Sequence, residues 1–133
     1  MSAAGARELA NVAHGVAKAD IAGARELFAA LAAAALLRLR DFNPQDLANT
    51  AWAYATAGYE APALLDAMAA VAATRLRDFT PQNLANTVWA YATKGHSAPA
   101  LLDAVAAEAA PRLHDFRPQH LANTAWAYAT AGH

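Results

Sequence analysis

The stretch "DFNPQDLANTAWAYATAG", residues 41–58, occurs three times in this chain with few changes. The second copy, "DFTPQNLANTVWAYATKG", covers residues 78–95, and the third, "DFRPQHLANTAWAYATAG", covers residues 115–132. Equivalent prolines, tryptophans and glycines are therefore 37 residues apart. Self-similarity at a fixed period of this length is the signature of a repeat protein, in which each unit buries its apolar surface against its neighbours.

Each repeat contains the signals of two helices. The first, helix A, is predicted over about Pro44–Ala57, because Asn43 is a good N-cap and Pro44 suits the first helical position. Gly58 stands where the helix should end, since glycine accepts the left-handed conformation of a C-terminal cap. Thr80 and Arg117 take the N-cap position in the later copies, and arginine is the weaker cap.

Helix B is predicted to begin near Pro62 in one unit and near Pro99 in the next, with apolar residues every three to four positions. Pro111 predicts a kink or an early end in the last helix B. Two short helices cannot bury both apolar faces alone, so the sequence predicts an all-α chain. We expect an α-solenoid of about three and a half helix-turn-helix repeats with a 37-residue period.

We expect a single array over residues 1–133, with units at roughly 1–43, 44–80, 81–117 and a partial unit at 118–133. The first unit is a degenerate copy, in which His14 replaces Trp52. The chain stops after a helix A with no helix B to follow, so we expect it to be part of a longer solenoid.

Composition excludes several classes of function. The net charge is −1 and there is no cysteine, so no disulfide framework, thiolate zinc site or cysteine nucleophile can form. The five histidines lack metal-site spacing, and there is no phosphate-binding loop or catalytic triad. The most apolar run, residues 27–37, is too short to span a bilayer. We therefore expect no enzyme, no metal, no cofactor and no membrane partner, and we find no clear targeting peptide at the start.

Two columns of arginines follow helix B. They are candidates for contacts to the phosphates of a nucleic-acid backbone, with one contact per repeat in each column. They are Arg38, Arg75, Arg112, Arg40 and Arg77. The alternative is structural, because a cation at a helix C-terminus is stabilised by the helix dipole and can pair with the neighbouring aspartates.

Helix A has two apolar edges, one of which carries Trp52, so the tryptophans are assigned to core packing rather than to base stacking. The remaining stripe, positions 46, 49, 50, 53 and 57, is polar or small and is predicted to be the open surface. Its polar residues are the candidate base readers: Asp46, Asn83, His120, Asn49, Asn86, Asn123 and Lys94. The asparagines could instead bond along the stack, and position 46 and its equivalents could tolerate any polar residue.

The motif "PQxLANTxWAYATxG", followed by "PxLLDAxxxxxxxRLxDF", resembles the octotricopeptide-type repeats of algal and protist organelle proteins. It also resembles the related helical arrays of FAST-kinase-like proteins and of the repeat subunit of mitochondrial RNA-editing substrate-binding complexes. The resemblance covers residues 27–133 well and residues 1–26 loosely. It implies binding of single-stranded RNA in a mitochondrion or chloroplast, for transcript processing, stability, editing or translation, with other proteins of an RNA-processing complex as further partners. The alternative is a protein-interaction scaffold that uses the solenoid groove and binds no nucleic acid.

Overall fold

The structure, a computed structural model, describes Asn11 and residues 24–133. Six α-helices lie in residues 24–133: α1 (Ala24–Leu36), α2 (Pro44–Ala57), α3 (Pro62–Ala73), α4 (Pro81–Lys94), α5 (Pro99–Ala109) and α6 (Pro118–Ala131). Short 3-10 helices precede α2, α4 and α6, and no strand occurs in these residues. The described part of the chain is therefore all-helical with a repeated helix pair. The predicted first copy of helix A lies outside the described residues except for Asn11, which is helical.

The limits of the A helices (α2, α4 and α6) agree with the predicted caps. The Asn43 side chain accepts a hydrogen bond from the Asp46 backbone N–H at 2.7 Å, and the Asp46 carboxylate accepts one from the Asn43 N–H at 3.0 Å. Thr80 and Asn83 form the same reciprocal capping box. Arg117 makes no side-chain cap bond, as its residue type predicted. Each helix then ends at a left-handed glycine.

The B helices (α1, α3 and α5) end differently in the last unit. Helices α3 and α5 begin at Pro62 and Pro99, as predicted, but α5 ends at Ala109 and a six-residue 3-10 helix follows. Pro111 has no N–H to continue the α-helical pattern, and its ring clashes with the carbonyl four residues earlier. The predicted early end of this helix is confirmed.

The A helices form one layer and the B helices form a second. The contacts between neighbouring A helices are the most extensive in the described chain, while neighbouring B helices pack less closely. Alanines such as Ala51, Ala53 and Ala90 are almost fully buried in the A layer, and such small side chains let helix backbones approach closely. Within residues 24–133 we find no helix with the length and apolarity needed to cross a membrane.

A repeated tyrosine joins the two layers. The hydroxyls of Tyr54, Tyr91 and Tyr128 donate to the backbone carbonyls of Phe28, Leu65 and Leu102 at 2.7, 2.5 and 2.7 Å. Burial raises the pKa of all three phenols, and it raises the pKa of Tyr128 to about 12. A smaller contribution comes from the Tyr59 phenol for Tyr54 and from a neighbouring aspartate for the other two. Each A helix is thus hydrogen-bonded to the B helix that precedes it.

Candidate functional site

Helices α2 and α4 are buried on most of their circumference, whereas Ala127 is the one buried residue of α6. In α2, apart from the end residues Pro44 and Ala57, only four positions are exposed or half-buried. They lie one turn apart along one side of the helix. We call them, with their equivalents in α4 and α6, the open stripe: Gln45, Asn49, Trp52 and Thr56, then Gln82, Asn86, Trp89 and Thr93, then Gln119, Asn123, Trp126 and Thr130.

The open stripe is not the one that the sequence predicted. Asp46, Thr50 and Ala53 are 5%, 2% and 0% exposed, and Asn49 is the one position inside the helix that belongs to both stripes. The predicted face is wrong because the sides of helix A that carry small residues are the ones on which neighbouring helices pack. Buried Thr87 shows how such a polar side chain is accommodated, since its hydroxyl donates to the Asn83 carbonyl at 2.7 Å within the helix.

The tryptophans are only partly core residues, which corrects their assignment to the core. Trp52 and Trp89 pack against the core on one side and remain partly exposed on the other. Trp126 is 47% exposed. The ring centroids of Trp89 and Trp126 lie 6.4 Å apart with their planes inclined by 34°. The indoles of α4 and α6 are therefore neighbours, and we call them, with Trp52 at the equivalent position of α2, the indole row.

The amides of the open stripe have no hydrogen-bond partner among the described residues. Asn49, Asn86 and Asn123 are half-buried, and the stripe glutamines are exposed in all three helices. The expectation that the asparagines bond to one another or to backbone along the stack is not met in this part of the chain. Each amide offers two N–H donors and a carbonyl acceptor, a combination that suits a ligand with both kinds of group.

Three of the other four base-reading candidates make contacts that stabilise the fold. Asp46 and Asn83 each accept a hydrogen bond from the backbone N–H of their N-cap in a capping box, which engages one side-chain oxygen of each. Lys94 is ion-paired with Glu60, and its side chain is 7% exposed. His120 has no cap partner, and its Nδ1 is buried without a hydrogen bond. Base reading by these four residues stays a prediction, and these contacts give it no support.

Two of the arginines connect neighbouring units. Arg75 Nη1 donates to the Phe42 carbonyl at 2.5 Å, and Arg112 Nη2 donates to the Phe79 carbonyl at 2.7 Å. These carbonyls belong to the linkers just before helices α2 and α4. For Arg38, the equivalent carbonyl would belong to the residue 33 places earlier in the chain. That residue lies outside the described part of the chain.

The second arginine column is more exposed than the first. Arg40 and Arg77 are exposed. Arg77 lines a groove between α3 and α5 together with Arg75, Asp78 and Glu108, which places both arginines beside the B helices. The predicted contact of these arginines with phosphates stays untested, but the two columns do not form one cationic row beside the open stripe.

One cation that is not among the predicted site residues, Arg117, does reach the stripe. Arg117 shares a groove at the start of α4 and α6 with Gln82 and Gln119, and Asp115 and His120 also line it. The signal in the sequence was the replacement of a capping residue by arginine at this position alone. The four stripe residues are identical in all three copies, but so are buried residues such as Leu47 and Tyr54, so identity alone does not signal the stripe.

Comparison with known proteins assigns no family. No protein-family model matches the chain, and the curated proteins contain no significant match to it.

Proposed function

We propose that the repeated hairpins form an α-solenoid and that the open stripe binds single-stranded RNA. One observation carries this proposal: a row of partly exposed indoles is flanked in every A helix by amides without a partner among the described residues. Single-stranded nucleic acids offer flat aromatic rings and unpaired base edges together, which are the two chemistries that this row would satisfy.

The tryptophans would supply most of the affinity. Stacking of a base on an aromatic side chain contributes about 1–3 kcal/mol per base and tolerates any base. The Asn and Gln side chains would then hydrogen-bond base edges, which favours some bases over others. By the resemblance of its motif, the protein would act in a mitochondrion or chloroplast, in transcript processing, stability, editing or translation.

The charges around the stripe predict a weak dependence of affinity on salt. Each phosphate contact to a single strand contributes a slope of about −0.7 in log affinity against log salt. A single contact at Arg117 predicts about −0.7, whereas the five arginines of the two columns together would give about −3.5. The measured slope therefore reports how many phosphates the protein contacts, and so distinguishes a single contact from a full set of arginine contacts.

Trp126→Ala is the sharpest test of the stripe, because the side chain is half-exposed and its loss should disturb packing little. We expect it to weaken RNA binding by about five- to 150-fold, the value of one stacked base. Leu113→Ala is the matched control, since Leu113 is 44% exposed but lies in the 3-10 helix outside the stripe. Fluorescence anisotropy of labelled single-stranded RNA measures both variants, and equal losses would remove the stripe from the site.

A protein-interaction scaffold is the second candidate, and the arginines favour it. Arg75 and Arg112 are engaged by the fold, and the net charge of −1 gives no general attraction for a polyanion. The same stripe would then hold an extended peptide through its amides and indoles. If the wild-type protein does not bind RNA at low salt, the RNA-binding proposal is refuted and the protein-interaction scaffold replaces it.

A further inference from the structure

We infer that the open stripe selects single strands in which one base recurs at every repeat, with adenine-rich tracts bound best. This inference rests on the proposed function, and it concerns which RNA is bound rather than whether RNA is bound. It follows from which residues vary between the repeats and which do not.

The residues that would touch a ligand are the same in all three units. Every A helix presents Gln, Asn, Trp and Thr at the stripe positions, and none of the three asparagines has a described hydrogen-bond partner. Three identical surfaces must discriminate between bases in the same way. Their preferences reinforce one another only when the ligand presents the same base to each, so a mixed sequence matches fewer units than a homopolymeric tract does.

Three of the polar residues that differ between the repeats make contacts within the fold. Asp46 and Asn83 differ, but both close capping boxes at the start of their helices. Lys94 is unique to its unit, and it is paired with Glu60. His120 also differs and makes no capping bond, but it lies outside the open stripe, so the stripe itself carries no variation between the repeats.

The geometry of the row requires unstacked bases. The Trp89 and Trp126 ring centroids are 6.4 Å apart, almost twice the roughly 3.4 Å rise of stacked bases. A continuous base stack or a duplex cannot follow this spacing, whereas a splayed single strand can place one ring against each indole.

Adenine fits the stripe best for two reasons. A purine covers more of an indole than a pyrimidine does, which strengthens stacking. An Asn or Gln amide also pairs through two hydrogen bonds with adenine, accepting from N6 and donating to N7. Guanine presents two acceptors on the same edge, so the amide's acceptor would be left unpaired there.

The experiment compares labelled RNAs of about twelve nucleotides, a length within the usual site sizes for single strands. Oligo(A), oligo(U), oligo(C) and a mixed-sequence strand are titrated with the chain by fluorescence anisotropy at one salt concentration. We expect oligo(A) to bind at least about tenfold more tightly than the mixed strand. Equal affinities would overturn the inference while the proposed function stood. Oligo(U) or oligo(C) binding as tightly as oligo(A) would overturn the choice of adenine, and no binding to any strand would overturn both proposals.

Two variants test whether the stripe asparagines select adenine. Asn86→Asp removes the amide's donors from the stripe, and we expect it to weaken oligo(A) binding about tenfold. Asn83→Asp introduces the same charge three residues away, where α2 already carries Asp46 in a working capping box, so the helix should still be capped. We expect this control to leave oligo(A) affinity nearly unchanged. Equal losses in the two variants would point to charge repulsion and overturn the inference.

Discussion

The tyrosine hydroxyls that join the two helix layers allow a direct test of how the repeats are held together. Tyr91 is 2% exposed, and its hydroxyl donates to the Leu65 carbonyl at 2.5 Å. Tyr91→Phe keeps the ring in place and removes only this donor. The Leu65 carbonyl still accepts the α-helical bond from four residues later, so it is not left without a partner.

The expected loss of stability in Tyr91→Phe is therefore that of one hydrogen bond, about 0.5–1.5 kcal/mol, and not the larger cost of an orphaned buried group. Tyr59→Phe is the matched control. The Tyr59 ring stacks on Phe28 with centroids 6.0 Å apart, but its hydroxyl makes no hydrogen bond to a described residue. We expect Tyr59→Phe to change the free energy of unfolding by less than about 0.5 kcal/mol.

Urea unfolding followed by circular dichroism measures both variants under the same conditions, with the midpoint and the slope fitted separately. A lower midpoint at unchanged slope in Tyr91→Phe alone is the expected result. If both variants lower the midpoint equally, the bond between the layers does not stabilise the array and the reasoning is refuted.

Three further changes should alter the urea midpoint in known directions. Gly95→Ala should cost about 1–2 kcal/mol because φ is +70°, although nothing lies within 4 Å of the added Cβ; an unchanged midpoint would contradict this. Arg117→Thr should add about 0.5–1 kcal/mol by capping α6, and a lower midpoint would refute that role. Because the folded-state pKa of Tyr128 is raised to about 12, its contribution to stability is complete below pH 10 and declines as the pH rises towards 12. In Tyr128→Phe the free energy of unfolding should fall less steeply over this pH range than in the wild type. An equally steep fall in the variant would refute the role of the Tyr128 hydroxyl.

Much of the local structure could be predicted from the sequence. The limits of helix A depend on short-range contacts that each repeat contains in full, such as the Asn43–Asp46 capping box and the left-handed Gly58. The early end of α5 depends on Pro111 alone. These features agree with expectation because a capping bond or a proline ring acts within about one helical turn.

The candidate site was predicted less well. Trp52 was assigned to the core because it is apolar, and Asp46 to the surface because it is acidic, yet the acid is buried and the indole is partly exposed. Residue polarity was misleading at both positions. A capping box makes burial of the carboxylate acceptable, and an indole beside alanines is too large for a neighbouring helix to cover.

The sequence by itself determined the 37-residue period, the helix pairs and the caps, because each depends on residues close together in the chain. Only the tertiary structure decided which side of helix A stays open. An alanine-rich helix has small side chains on several sides, so its pattern singles out no one face for burial. The choice is made where α2, α4 and α6 meet, since small side chains allow close packing there and leave Gln, Asn, Trp and Thr at the open surface.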